Sequence, residues 1–130
     1  MTITSVVYVG VTVLAIVANG FSGVAALLHF RPILPGMARA GVPESWLTFP
    51  IGTLKTAGAL GLLLGLVGVP FIGAAAAIGL ILFFTCAVYT HMRASDYSPR
   101  FGLAIGFLLL NAAALSTVLA VAQLSVHGLR

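Results

Sequence analysis

Four apolar stretches, each about as long as a bilayer is thick, constrain the fold of this chain more than any other feature of its sequence. They lie at residues 3–28, 47–67, 71–89 and 101–124. A helix needs about 20 residues to cross a hydrocarbon core, and backbone groups in lipid must be hydrogen-bonded within their own segment. No stretch alternates polar with apolar residues as a strand does. The sequence therefore predicts an all-α integral membrane four-helix bundle, one domain over residues 1–130.

The composition also indicates that lipid surrounds part of the folded chain. Hydrophobic residues make up 61% of the chain and charged residues only 6%, whereas roughly a quarter of a soluble domain is charged. The net charge of +4 does not predict nucleic-acid binding, because that needs a basic stripe and a fold signature. The single cysteine, Cys86, excludes an internal disulfide and a CxxC redox pair. The first stretch lacks a basic leader and a cleavage site, so we interpret it as a retained span.

The arginines predict the orientation of the four spans. Arg31, Arg39, Arg93 and Arg100 fall in the first and third connections, whereas the opposite side has only Arg130. Connections rich in arginine stay in the cytoplasm. We therefore expect both long loops in the cytoplasm and both termini outside.

Three strong polar residues lie deep within the spans. Asn19, Lys55 and Asn111 are each about nine or ten residues from the cytoplasmic end of a span, which is about 13–15 Å of helix and close to the midplane. A charge at that depth costs roughly 2.5–3.5 kcal/mol and usually marks a functional site. One hypothesis is a pocket in which Lys55 binds or polarises an oxygen of a lipophilic molecule and the asparagines orient it.

Simpler roles for the same residues stay open. Lys55 can extend its long side chain to the interface, and each asparagine can bond a neighbouring helix. A lysine that lost its charge through burial could instead serve as a general base or imine former. Nine residues is a long way to reach the interface, which favours the pocket.

A second polar group lies near the cytoplasmic face. His29 and His91 end the first and third spans, where a protonated imidazole stabilises a helix C-terminus; they are also candidate catalytic residues, since histidine titrates near neutral pH. No HxxH or HxxxH spacing occurs, so no metal site is predicted. We expect Trp46, suited to the headgroup layer, and Tyr89 to contact a ligand. The remaining rim candidates are Arg31, Glu44, Arg93 and Asp96.

Two stretches, IGTLKTAGALGLLLG and GVPFIGAAAAIGLILFFTCAVYTHMRASD, resemble the DoxX-like family of small four-helix bacterial membrane proteins. The resemblance covers about residues 19–111. Family members carry glutamate or lysine at the position of Lys55. The resemblance implies a bacterial inner membrane and links to sulfur-compound and quinone-connected oxidation and to oxidative-stress complexes. No cofactor motif is evident, and a quinone is the ligand that the resemblance suggests. The residues that carry this resemblance to the family are Gly52, Lys55, Gly58, Gly61, Pro70 and the THMR that ends at Arg93.

Three functions follow from these features. The first, slightly favoured, is a membrane enzyme or enzyme subunit for a lipophilic small molecule, using quinone-linked oxidoreduction or cofactor-free acid–base chemistry such as isomerisation, epoxide opening or cyclisation. The second is a non-catalytic accessory or scaffold subunit that packs against a membrane partner or a second copy of itself. The third is a small multidrug-type transporter, but such proteins need a glutamate in the first span, which has no acid here.

Overall fold

The computed structural model describes the backbone of residues 2–128 and the side chains of residues 2–124. Four helical segments are long and apolar enough to cross a membrane, which confirms the prediction of an all-α membrane bundle. The α-helices are α1 (Ile3–Leu27), α2 (Leu34–Ala40), α3 (Thr53–Leu66), α4 (Ile72–Arg93) and α5 (Pro99–Gly128).

The four long helices form a ring in which each contacts two neighbours. Helix α1 lies against α3 and α5, and α4 lies against the same two helices. Small side chains fill much of the centre, which lets helices in lipid approach closely enough for van der Waals packing. Large apolar side chains such as Phe21 and Leu109 point outward and are exposed, as expected for helices that face lipid. The central cluster consists of Ala15, Leu62, Ala77, Leu80, Phe84 and Ala114.

Helices α3 and α4 approach most closely next to the short turn that joins them. A Cβ atom placed on Gly65 would lie 2.8 Å from the Cα of Gly73, and one on Gly61 would lie 2.6 Å from the Cβ of Ala76. The turn itself uses two residues with positive φ, Gly68 at 101° and Phe71 at 66°. Gly61 and Gly65, one helical turn apart, therefore lie on the face of α3 that packs against α4.

The second span differs from the uninterrupted helix expected from residue 47. Regular α-helix begins only at Thr53, after 3-10 and π-type turns over Glu44–Leu47 and Thr48–Gly52. Pro50 explains the break, because proline has no N–H and disfavours helical geometry in the residue before it. Phe49 accordingly has φ −144° and ψ 131°, an extended conformation.

The first connection folds back over one end of the bundle. It contains α2, which ends at Gly41 with a φ of 74°, the left-handed geometry that glycine adopts most easily. Met37 of α2 packs with Ala26 of α1 and Leu47 in a second apolar cluster. The third connection meets the first one here, since Arg100 donates a hydrogen bond to the Pro32 carbonyl. The two arginine-rich connections therefore share one end of the molecule.

Candidate functional site

Lys55, in the first turn of α3, reaches into the bundle rather than along the helix surface. Its Nζ donates a hydrogen bond to Ser22 Oγ of α1 at 2.8 Å. The same nitrogen lies over three phenyl rings, at 5.6 Å from the centroid of Phe83, 5.3 Å from Phe84 and 5.7 Å from Phe107. A cation within about 6 Å of a ring centroid is attracted by the negative face of the ring. Four helices therefore contribute to the surroundings of one amine.

No carboxylate balances this amine among the described residues. The sequence has two acidic side chains, and each is paired with a histidine: Glu44 Oε1 lies 3.6 Å from His29 Nδ1, and Asp96 Oδ2 lies 3.0 Å from His91 Nδ1. An ammonium group has three donors, and Ser22 accepts one of them. Lys55 therefore retains donors for a further acceptor.

A cavity of about 550 Å³ opens beside Lys55. This volume falls within the range of sites that bind small molecules, about 300–1,000 Å³. Trp46, Leu47 and Met37 form part of its apolar walls, and Leu54 and Leu82, 42% and 61% exposed, lie at its outer rim. We call it the Lys55 cavity. Its hydroxyl, amine, imidazole and guanidinium groups belong to Ser22, Lys55, Thr90, His91 and Arg100.

Asn19 and Asn111 are fully buried and bonded to each other, not to Lys55. Asn19 Nδ2 donates to Asn111 Oδ1 at 2.9 Å and to the Ala15 carbonyl at 2.8 Å. Asn111 Nδ2 donates to Asn19 Oδ1 at 3.3 Å and to the Phe107 carbonyl at 2.9 Å. All four amide hydrogens are thus used within the bundle. Neither residue lines the Lys55 cavity.

The amine and the asparagine pair lie at different levels. Ser22, the partner of Lys55, is three residues beyond Asn19 on α1, which is about 4.5 Å along a helix. Lys55 is therefore nearer to the end with the long connections. Phe107 joins the two levels, because its ring faces Lys55 and its carbonyl accepts from Asn111.

His91 lines the Lys55 cavity and is held from behind by Asp96. An ionised carboxylate only accepts hydrogen bonds, so Nδ1 of His91 donates its proton to Asp96. The second ring nitrogen, Nε2, is not used in this hydrogen bond. The pKa of Asp96 is held below its usual value by Ser98, whose amide donates to Oδ1, and by the His91 ring. Helix α4 runs to Arg93, so His91 lies in its last turn.

Acidification should weaken the link that Asp96 makes between α4 and α5. A carboxyl whose pKa is lowered by folding stabilises the protein above its unfolded pKa of about 3.9, and this contribution is lost as the pH falls through the folded value. The melting temperature of the wild type in detergent should therefore fall more between pH 5 and about pH 3 than that of Asp96→Asn. Glu44→Gln removes the same charge elsewhere and is the control. Parallel curves for wild type and Asp96→Asn would contradict the assignment.

The other residues proposed from the sequence lie outside the cavity lining. His29 Nε2 is 3.0 Å from Thr48 Oγ1, and its Nδ1 faces Glu44, so it connects the end of α1 to the turns before α3. Tyr89 is 64% exposed, and Arg31 and Arg93 are exposed as well. Within the described residues, no group of three or more histidine, cysteine, aspartate or glutamate side chains could hold a metal ion.

Sequence reasoning missed the three phenylalanines, Ser22 and Arg100. Phe83, Phe84 and Phe107 stand in apolar runs, where an aromatic residue is indistinguishable from one that faces lipid. The structure shows that these rings pack against one another: Phe84 and Phe107 are stacked, with 4.9 Å between their ring centroids. Ser22 did carry a signal, because it lies about one turn from Asn19 on α1.

The chain as a whole matches a known protein family. A model of the DoxX-like family matches residues 10–126, nearly the whole chain. No curated protein and no solved structure gives a significant match.

Proposed function

The chain belongs to the DoxX-like family of membrane proteins, and we propose that it binds a lipophilic small molecule in the Lys55 cavity through an oxygen that accepts from Lys55. The surroundings of the amine carry this proposal. A cation among three phenyl rings, with one hydroxyl as its hydrogen-bond acceptor among the described residues, is costly in the apolar interior of a membrane bundle. A ligand oxygen would provide the acceptor that the described residues do not.

The shape and chemistry of the cavity support a lipophilic ligand. Most of its lining is apolar, and its few polar groups are spaced so that they would orient the molecule, which is typical of small-molecule sites. Exposed rim residues such as Leu54 and Leu82 would let the molecule enter from the hydrocarbon. A quinone or an isoprenoid carbonyl compound has the required apolar body and oxygen acceptor.

An enzyme, or an enzyme subunit, is the role that His91 favours. The imidazole lines the same cavity and is oriented by a carboxylate at 3.0 Å, an arrangement that general acid–base catalysts use. In this proposal Lys55 holds an oxygen at one end of the molecule, and His91 exchanges protons with the other end, about two helical turns away at the rim. Deuterium incorporated from heavy water into the bound molecule, and lost in His91→Gln, would test this exchange; equal incorporation in both proteins would count against it.

We further propose the bacterial inner membrane as the location, with both long connections in the cytoplasm. Support comes from the shared position of the two connections, joined by Arg100 and Pro32, together with the preference of arginine for cytoplasmic loops. Cysteines introduced at Arg31 and in the turn at Gly68 of a Cys86→Ser protein should react with a membrane-impermeant thiol reagent from opposite sides. Reaction of the cysteine at position 31 from the outside would show that the protein has the opposite orientation.

The binding proposal is tested by the lipophiles that copurify with the protein. Lys55→Met keeps a long apolar side chain but removes the donor, and it should retain roughly tenfold less of the oxygen-containing lipophiles found with the wild type, the loss expected for one charge-assisted hydrogen bond. Mass spectrometry of solvent extracts measures the content.

The matched control is Arg39→Met, which removes an exposed cation of α2 that does not line the cavity. Its lipophile content should equal that of the wild type. Equal content in wild type and Lys55→Met, with both proteins folded, would overturn the proposed function.

A further inference from the structure

The Lys55 cavity has a second polar end. Arg100 and His91 both line it near the long connections. Arg100 reaches across to the first connection, where its guanidinium donates to the Pro32 carbonyl and its side chain lies where a Cβ on Gly36 would be. A guanidinium has five donors, so this contact leaves the group able to bind another acceptor.

The distance between the two ends follows from the two helices that carry them. His91 is seven residues beyond Phe84 on α4, and Arg100 is seven residues before Phe107 on α5. Phe84 and Phe107 are the stacked rings beside Lys55. Seven residues correspond to about 10.5 Å along a helix. Because α4 and α5 run in opposite directions, both helices place the second polar end about two turns from the amine, on the same side.

The two ends carry the same sign of charge. Lys55 and Arg100 are cations, and no aspartate or glutamate belongs to the described lining. Asp96 lies behind His91 and accepts hydrogen bonds from His91 and Ser98. Neither Lys55 nor Arg100 has a carboxylate within ion-pair distance among the described residues. Such a lining repels cationic lipophiles and attracts anionic ones.

The two cations differ in what they bind best. The planar fork of arginine matches a carboxylate with two parallel hydrogen bonds, and Arg100 lies at the end of the bundle, where a carboxylate can stay partly hydrated. The amine of Lys55 is a compact charge with three separate donors and no planar fork, so it gains nothing from the paired oxygens that match Arg100. A single carbonyl or hydroxyl oxygen is enough to accept from it.

We propose that the ligand is an elongated lipophilic acid, with a carboxylate at Arg100 and a carbonyl or hydroxyl oxygen about 10 Å away at Lys55. This inference rests on the proposed function, because it assigns the ligand class of the same cavity. The apolar wall between the two ends, which includes Ala87 on α4 and Ala104 on α5, would accommodate the carbon skeleton. His91 contributes Nε2 beside the carboxylate end.

The test uses a homologous series of oxo fatty acids whose carbonyl and carboxylate are separated by increasing numbers of methylene groups. Binding to the full-length wild type in nanodiscs is measured by titration calorimetry. We expect the affinity to pass through a maximum near a separation of about 10 Å, roughly tenfold or more above that of a fatty acid of equal length without the oxo group. An affinity that rises steadily with chain length, with no effect of the oxo group, would overturn the inference.

Two variants test which cation binds which end of the ligand. Arg100→Gln should reduce the affinity for the best oxo acid roughly tenfold and abolish its preference over the corresponding methyl ester, whereas Lys55→Met should abolish the preference for the oxo group. Arg93→Gln, which removes an exposed arginine outside the cavity, is the control. If Lys55→Met still lowers copurified lipophiles while acid and ester bind equally to wild type, only this inference fails. If Lys55→Met has no effect on any lipophile, the proposed function fails with it.

Discussion

Gly65→Val is expected to destabilise the bundle by about 3 kcal/mol, the upper part of the range for overpacking a tight contact. A Cβ at this position would lie 2.8 Å from the Cα and 3.2 Å from the N of Gly73. Both obstructing atoms belong to a backbone, which cannot turn aside as a side chain can. The valine therefore forces α3 and α4 apart at their closest approach. Unfolding in mixed detergent and SDS micelles, followed by circular dichroism, measures the loss.

Gly106→Val on α5 is the matched control for this experiment. It has the same change in helix propensity, but a Cβ there meets nothing within 4 Å. Its stability should stay close to that of the wild type, within about 1 kcal/mol. Equal losses in the two variants would show that propensity, and not the contact between α3 and α4, governs the result.

Asn19→Leu is expected to cost about 2 kcal/mol, because it leaves the Asn111 side chain buried without its partner. Removing one member of a buried hydrogen-bonded pair costs about 1–3 kcal/mol, and interhelical hydrogen bonds in membranes contribute up to about 1.7 kcal/mol. Both asparagines are 0% exposed, so water does not replace the lost bond. The double variant Asn19→Leu/Asn111→Leu should lose less than the sum of the two single variants, which a double-mutant cycle measures.

Thr12→Val controls for the removal of a buried polar group from α1. Thr12 is also 0% exposed, but its hydroxyl has no hydrogen-bond partner among the described residues. Its replacement should be neutral or slightly stabilising. Strict additivity of the two asparagine substitutions would mean that the Asn19–Asn111 hydrogen bonds contribute nothing to stability.

The fold could be predicted from the sequence because lipid imposes a strong constraint on chain length and polarity. Hydropathy located all four spans, but it could not show that regular helix begins at Thr53, since that depends on how Pro50 is accommodated. Counting residues placed Asn19 and Asn111 at the same depth, where they are bonded. The same count put Lys55 at the level of the asparagines, but its amine bonds Ser22, about 4.5 Å further along α1 than Asn19, because packing and the turns before Thr53 set the level of α3 in the bundle.

The exposed rim of the Lys55 cavity affects how a ligand would enter it. With Leu54 and Leu82 exposed at the rim of an apolar recess of about 550 Å³, we expect acyl tails of neighbouring phospholipids to enter it when no ligand is bound. Binding of the ligand that we propose would then be an exchange, in which the ligand displaces a lipid tail. Its apparent affinity would consequently vary with the fatty-acid composition of the surrounding membrane.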